Sequence, residues 1–285
     1  MTIDIDCVSC IINQSVKVAN AIDASPSLAN QLKSSVEEMS KSFPITQTPP
    51  QIAADVYEKM AVIADKDDLY DEVKQNSTKK ALSFLPMLEK KLKSSQDKLL
   101  TATKIAVAGN VIDLAAVVEF DLTQELEKIF HTDFAQNDIK ELHNTLENAK
   151  EVVVLGDNVG EHIFDYLFIQ TLQTLYPKVN FYYFVRGKPI INDVTMKEAK
   201  EAKFDTLCTL IDSGVNTPGF DYIRATPQAK ELFDKADLVI SKGMGNYESL
   251  SPSHRGDIYF LLKVKCEVVA NSLDLKLGDI VCKKN

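Results

Sequence analysis

From residue 151 onward the chain alternates between two textures. Short apolar runs at 152–155, 180–185, 207–211, 237–240 and 258–264 are separated by helix-like stretches at 161–175, 196–203 and 227–236. Near-continuous apolar strands are buried on both faces, and strands that alternate with helices pair in parallel. The pattern predicts an α/β fold, a mostly parallel sheet with helices on both faces. Before residue 150 the spacing is helical instead. Ser25-Pro26 and Thr48-Pro49 each set a capping side chain ahead of a proline suited to a first turn. Val56, Met60, Ile63 and Ala64 repeat with the helical period.

Pro86 falls inside the pattern from Leu69 to Leu92 and is expected to kink that helix or split it. Ser94 or Ser95 can cap a further helix to about Val107. A break is then expected at Ala108-Gly109-Asn110-Val111-Ile112-Asp113. Asn137 is expected to open a helix that ends near Ala149. No Gly/Ser/Pro-rich linker divides the chain, and no internal repeat is visible. These features predict a helical N-terminal domain over 1–105 packed on an α/β domain over 106–285.

Polar residues gather where the apolar runs stop. The run Val152-Val153-Val154-Leu155 ends at Gly156-Asp157-Asn158-Val159-Gly160-Glu161, and the next ends at Arg186-Gly187-Lys188-Pro189-Ile190-Ile191-Asn192-Asp193. In open α/β sheets, ligands bind outside the carboxyl ends of the strands. Asp157, Asn158 and Asp193 supply hard oxygen ligands there. Such ligands suit a divalent metal such as Mg, Mn, Co or Ni, with positions left for water and substrate. The blander alternative is a turn whose Asp or Asn caps the next helix. A later strand runs into Lys242-Gly243-Met244-Gly245-Asn246-Tyr247-Glu248. Backbone N–H groups and an ammonium at that place suit a phosphate, although the spacing is not that of a Walker loop. A tight turn with a solvated lysine is the alternative. The stretch Asp212-Ser213-Gly214 to Gly219 adds a hydroxyl and a pliable backbone. Four such loops on one sheet edge converge, so acids for a metal and donors for an anion would share a cleft. That combination points to phosphoryl chemistry.

Composition narrows the field. The chain has 285 residues, 45% hydrophobic and 26% charged, with a formal net charge of -9. This disfavours nucleic-acid backbone binding, which usually needs a basic patch. No run of about 18 apolar residues suggests a membrane span. The N-terminus lacks the pattern of a signal peptide, so a cytoplasmic location is expected. Five cysteines do not suggest a disulfide framework. Cys7-x-x-Cys10 suits a zinc or redox pair only if Cys266, Cys282 or a histidine joins it, and is otherwise structural. Cys208 is expected in the core. Of the histidines only His162 falls in a motif, and it is expected on a helix surface. Asp65-Lys66-Asp67-Asp68 is expected to be a solvated turn.

Taken together, the loops ending at Asp157-Asn158 and Glu161, at Arg186 to Thr195, and at Lys242 to Glu248 resemble the motifs of the damage-control phosphatase family. That family is also called domain of unknown function 89, or the acidic-residue methyltransferase-like metal-binding domain. Cys7 and Cys10, Gly109-Asn110 with Asp113, and Lys265-Cys266 resemble its shorter microbial branch. The resemblance spans nearly the whole chain. It implies metal-dependent hydrolysis of phosphate esters on small metabolites. By motif, Asp157, Asn158 and Asp193 would bind the metal and Lys242 the phosphate. Glu161 would orient or activate water. Asn110 and Asp113 would close the cleft, and Arg186 would neutralise substrate charge. Gly243, Gly245, Asn246 and Ser213 would contact substrate. Two alternatives stay open: an S-adenosylmethionine-dependent carboxyl methyltransferase, in which Asp193 would meet the ribose, and a noncatalytic metabolite-binding module. The oligomeric state is not legible.

Overall fold

The computed structural model describes residues 1–111, 122–253 and 255–285. The helices of the N-terminal part are α1 (Ile5–Ala21), α2 (Pro26–Ser40), α3 (Pro49–Ala64), α4 (Asp71–Ser94) and α5 (Lys98–Val111). The two Ser/Thr-Pro starts behave as expected. Ser25 accepts from the Leu28 N–H, and Thr48 forms a capping box with Gln51. After α6 (Leu122–His131) come the short strand β1 (Gln136–Asn137) and α7 (Ile139–Asn148).

The α/β alternation then proceeds as β2 (Glu151–Leu155), α8 (Glu161–Leu175), β3 (Asn180–Val185), α9 (Met196–Glu201) and β4 (Thr209–Asp212). It continues with α10 (Pro227–Lys235), β5 (Leu238–Lys242), α11 (Gly243–Leu250), β6 (Ile258–Lys263), α12 (Glu267–Leu273) and β7 (Ile280–Lys284). Among the described residues these strands form one sheet in the order β1-β7-β6-β5-β2-β3-β4. Every pairing is parallel except β6 with β7.

That order has a consequence for ligand binding. From β2 the chain moves outward to β3 and β4, then returns to β5 on the other side of β2. The strand sequence therefore reverses between β2 and β5, where Leu155 lies opposite Ser241. Loops leaving the two strands at such a reversal diverge, and a crevice opens between them.

The sheet is covered on both faces, as its unbroken apolar runs require. Val152, Val154, Tyr183 and Ile240 share a core with Ala102, Ile105, Phe164 and Phe168 of α5 and α8. Val153, Leu155, Val239 and Phe260 share another with Phe233, Tyr247 and Val269 of α10, α11 and α12. A third core lies within α1, α2 and α3, around Val18, Leu32, Val36, Val56 and Met60. By contrast α4 and α5 contribute Ala81, Leu88 and Ala102 to the sheet's own core.

Three local expectations are corrected. Of the kink or split expected at Pro86, the split does not occur, since α4 runs unbroken from Asp71 to Ser94; its apolar residues before and after the proline are both held in the sheet's core, and packing outweighs the lost backbone bond. Gly109 is not a break but part of α5. A Cβ there would stand 3.0 Å from the Glu161 Cα, so glycine permits the close crossing of α5 over α8. β1 and β7 were not expected, being respectively too short and too charged to read as strands. The helix expected from Asn137 begins two residues later, with the Asn137 side chain accepting from the Ile139 N–H.

The loop after β3 ties the helical layer to the sheet. Ile190, in that loop, is 3% exposed and packs in the core of α1, α2 and α3. Ile190→Ala is expected to lower the free energy of unfolding by about 2–4 kcal/mol, the usual cost of emptying a well-packed site. Urea denaturation monitored by circular dichroism checks this.

Candidate active site

The reversal point is built by stitching two loops together. Past β2, the Val159 N–H donates to the Asn192 carbonyl at 2.7 Å, and the Val194 N–H donates to the Asp157 carbonyl at 2.8 Å. Asn158 and Asp193 form an antiparallel bridge. Backbone pairing thus sets Asp157 and Asn158 beside Asp193, although more than thirty positions separate them in sequence. The Arg186 Nε donates to Asp193 Oδ2 at 2.7 Å, and both side chains are buried.

Two amides clamp the acids on the other side. Asn110, at the end of α5, donates from Nδ2 to Asp157 Oδ2 at 3.1 Å and to Glu161 Oε1 at 3.2 Å. Asn158 donates to the same two oxygens at 3.1 and 2.9 Å. The first residue of α11 presses against this group. Gly243 has φ +76, and a Cβ there would lie 1.9 Å from Asp157 Oδ2, so only glycine fits.

Lys242 is placed otherwise than expected. It ends β5 rather than sitting in an open loop, is fully buried, and its Nζ is bonded to Asp165 Oδ1. The Tyr183 hydroxyl donates to the other Asp165 oxygen at 3.0 Å. Burial pulls the Lys242 pKa down, but the carboxylates of Asp165, Glu161 and Asp157 outweigh it and hold the ammonium charged. Asp165 is the site residue that sequence reasoning missed. It lies one helical turn after Glu161, a lone acid among Ile163, Phe164, Leu167 and Phe168. An acid on an otherwise buried helix face was the available signal.

Other expected contacts are engaged within the fold. Ser213 donates from Oγ to the Val185 carbonyl at 2.5 Å. Asn246 donates to the carbonyls of Gly156 at 3.1 Å and Lys242 at 2.6 Å, and accepts from the Phe220 N–H at 2.7 Å. It is a strut joining three loops. A Cβ on Gly245 would meet the Pro218 carbonyl oxygen at 1.8 Å, so this glycine lets the loop after β4 lie against α11. Asp113 lies outside the described residues.

His162 is not on a surface. α8 is enclosed by α5, α4 and the sheet, and its His162 is 1% exposed. The Gly160 N–H donates to its Nδ1 at 2.9 Å, and burial brings its pKa down to about 4. Nor is the 65–68 stretch merely solvated, since Asp68 pairs at 2.8 Å with the buried Lys74. Cys282 lies on β7, where its carbonyl accepts from the Asp138 N–H, whereas Cys266 is near enough to Cys7 and Cys10 for their charges to interact.

The electrostatics bear on a metal. Burial first, then Glu161 and Asp193, raise the Asp157 carboxyl well above its ordinary range. Burial raises Asp193 to about 6 despite Arg186. Among the described residues, no three His, Cys, Asp or Glu side chains are drawn together as a ready metal cage. The expected set is instead two carboxylates and an amide. Crowded acids whose charged forms are disfavoured fit a hard cation that would relieve them. A cation would also require the Asn158 amide to turn its oxygen inward, because its nitrogen now faces the acids.

A cleft of about 690 Å³ lies between Tyr57, Glu58 and Ala61 of α3 and the loop Lys188 to Ile191; none of the clustered acids lines it, and its link to them is the loop that carries Asp193. The charge of Asp193 reaches the buried Tyr57 hydroxyl. Ile191 holds φ +47, a strained value for a β-branched residue, two positions before Asp193. No helix among the described residues is long and apolar enough to cross a membrane.

Fold and site together define an α/β protein with an acid cluster at the point where the strand order reverses. Comparisons with known proteins are more specific. Residues 3–281 match the damage-control phosphatase ARMT1-like domain, and the chain belongs to that family. It is 30% identical to a damage-control phosphatase of Pyrococcus horikoshii, over 100% of this chain and 99% of that protein. It is 29% identical to one of Archaeoglobus fulgidus, over 97% of each. The crystal structure of a domain-of-unknown-function-89 protein from Pyrococcus horikoshii superposes with a TM-score of 0.92 at 28% identity, covering 100% of this chain and 99% of that one.

The depressed pKa of His162 gives a test of the site's interior. Between about pH 6.5 and 4 the unfolded histidine binds a proton that the folded one refuses, so its burial costs stability as the pH falls. The raised Asp157 and Asp193 act in the opposite sense over this range. The comparison is therefore between wild type and His162→Gln. The stability of wild type relative to the variant should fall by about 3 kcal/mol from pH 7 to pH 4, as read by urea titrations across that range.

Proposed function

We propose that this chain is a metal-dependent phosphatase that hydrolyses phosphate esters of small metabolites, sugar phosphates and damaged phosphometabolites among them. The observation that carries the proposal is the stitched pair of loops setting Asp157, Asn158 and Asp193 beside Glu161 at the strand reversal. The names of the relatives from two archaea support the same chemistry.

Asp157, Asn158 and Asp193 would hold a divalent ion, Mn, Mg, Co or Ni, in this proposal. When bound, such an ion polarises the phosphoryl group and makes a coordinated water more acidic. Glu161 shares two amide donors with Asp157, which fixes its carboxylate at the site. In this proposal it orients the attacking water and takes a proton from it. Water attacks phosphorus in line, the ester P–O bond breaks, and the leaving alkoxide takes a proton from solvent, while Glu161 later returns to solvent the proton taken from the attacking water. Asn110 bridges from α5 to both acids and closes the crevice on the helical side. Backbone N–H groups at the start of α11, from Gly243 to Gly245, are offered to phosphoryl oxygens. Arg186 and Lys242 contribute charge from below, the first through Asp193 and the second through Asp165. Ser213 and Asn246 hold the walls. The cleft beside α3 is the space for the organic part of the ester.

Phosphate release from p-nitrophenyl phosphate and a sugar-phosphate panel, with chelator and with each divalent ion, tests this. Wild type should be silent in chelator and restored by at least one ion. Asp157→Ala should lose roughly 10³-fold in kcat/KM while keeping its circular dichroism spectrum. Full activity of Asp157→Ala would remove it from the metal site, and no release with any ion would overturn the phosphatase proposal.

A further inference from the structure

One buried cation has no part in the chemistry so far. Lys74, on α4, is 1% exposed. A lysine is almost never enclosed to this degree unless acids hold it. Two do, and they come from different parts of the fold. Asp68, in the turn ahead of α4, sets its Oδ2 2.8 Å from the Lys74 Nζ, and its Oδ1 accepts from the Tyr70 N–H at 2.9 Å. Glu198, on α9 of the α/β part, sets its Oε1 3.6 Å from the same ammonium. Lys74 is thus the charge between an acid of the helical layer and an acid of the sheet's connections.

Glu198 leads from Lys74 to the acid cluster. It is buried, and its second oxygen, Oε2, accepts from the Thr195 N–H at 3.0 Å and from the Thr195 hydroxyl at 2.5 Å. Burial would raise its carboxyl, but Lys74 and then Thr195 outweigh that and hold it below its ordinary range. Thr195 forms a bridge with Arg186, and the Val194 before it donates its N–H to the Asp157 carbonyl. Asp193 comes next in the same extended stretch. One carboxylate therefore separates the buried ammonium from the backbone two positions after Asp193. The charge of Lys74 also reaches Asp193, where it works with Arg186 against the effect of burial.

A second ion pair joins the same two helices and serves as a contrast. Lys197 of α9 meets Asp71 of α4 at 2.7 Å, but both side chains are about half exposed. Water can replace that pair at little cost. It cannot readily do so for Lys74. Without the ammonium, Asp68 and Glu198 lose their shared counter-charge in a region of low dielectric, and a buried acid left so drives its surroundings to rearrange. The two bonds from Glu198 carry any shift of α9 directly to Thr195.

We propose that Lys74 is a positioning residue for the metal site: through Glu198 and Thr195 it sets the place of Asp193, the second carboxylate of the proposed ligand set. This rests on the metal-dependent reading, and the test separates the two. Full-length wild type, Lys74→Met, Glu198→Gln and the control Lys197→Ala are titrated calorimetrically with Mn²⁺, Mg²⁺, Co²⁺ and Ni²⁺, and compared in the ion that wild type binds tightest. Loss of that binding in Asp157→Ala identifies the site. Lys74→Met should raise the dissociation constant of the ion about 10- to 100-fold, the usual cost of removing a group that orients a metal ligand. Glu198→Gln, whose amide oxygen can still accept from Thr195, should raise it about tenfold. Lys197→Ala should match wild type. Turnover of p-nitrophenyl phosphate by Lys74→Met should return toward the wild-type rate as the ion is raised, which a loss of fold would not allow. Wild-type affinity for the ion in Lys74→Met would overturn the positioning role and leave the metal site standing. If Lys74→Met does not fold, wild-type affinity in Glu198→Gln overturns it. Equal weakening by Lys197→Ala would overturn it too, since any contact between α4 and α9 would then serve. No ion bound by wild type would overturn the metal-dependent reading and the positioning role with it. The titrations need no turnover, so they decide on Lys74 even if no ester is hydrolysed.

Discussion

Negative charges held in one dry crevice repel each other, and much of this structure serves to tolerate that. Asp157, Glu161, Asp165 and Asp193 are all at most 7% exposed. Unpaired, such a group would lose its charge or leave the interior. Here each has partners: Arg186 for Asp193, Lys242 and Tyr183 for Asp165, and two amides shared by Asp157 and Glu161. The weakest compensation falls on Asp157 and Glu161, whose shared donors are neutral, and of the two it is Asp157 whose carboxyl is raised well above its ordinary range. A bound cation would gain most there.

Topology explains why the acids meet. Asp157 and Asp193 leave adjacent parallel strands, and the backbone bridge between Asn158 and Asp193 removes the remaining freedom. β5 enters on the other side of β2 and brings Lys242 and Gly243 with it. α5 crosses from above, allowed close by Gly109, and delivers Asn110. The site is assembled from segments near residues 110, 157, 193 and 243. Folding must therefore complete much of the sheet before any part of the site is competent, since contacts this distant in sequence are costly to close early.

Much of this was legible in the chain itself. Apolar runs bounded by glycine and acid placed β2, β3, β5 and β6, and the capping signals placed the starts of α2 and α3. The convergence of the loops followed from parallel pairing. Legibility ended where a residue's role depends on something distant. Gly109 reads as a helix breaker until α8 is known to pass against it. Lys242 reads as a free phosphate ligand until Asp165 is known to lie below it, and Asp165 passes unnoticed until α8 is known to be enclosed. His162 was misplaced for the same reason. β7 was invisible because its pairing, antiparallel to β6 on one side and parallel to β1 on the other, owes little to its own mixed sequence, Ile-Val-Cys-Lys-Lys.

The helical layer has a part in this site that its separate core conceals. Ile190 is buried among α1, α2 and α3, yet it belongs to the loop that delivers Asp193. Ile191 next to it is held in a left-handed conformation that a β-branched residue does not adopt unforced. Strain of this kind persists only where surrounding contacts over-determine the backbone, and here the contacts on one flank are helical and on the other are the bridge to Asn158. The same loop and α3 form the two walls of the cleft. One strained segment therefore joins a wall of the cleft to the loop that carries Asp193. An α/β domain without α1, α2 and α3 would keep the acids' strands but lose the anchor that sets the angle of the second one.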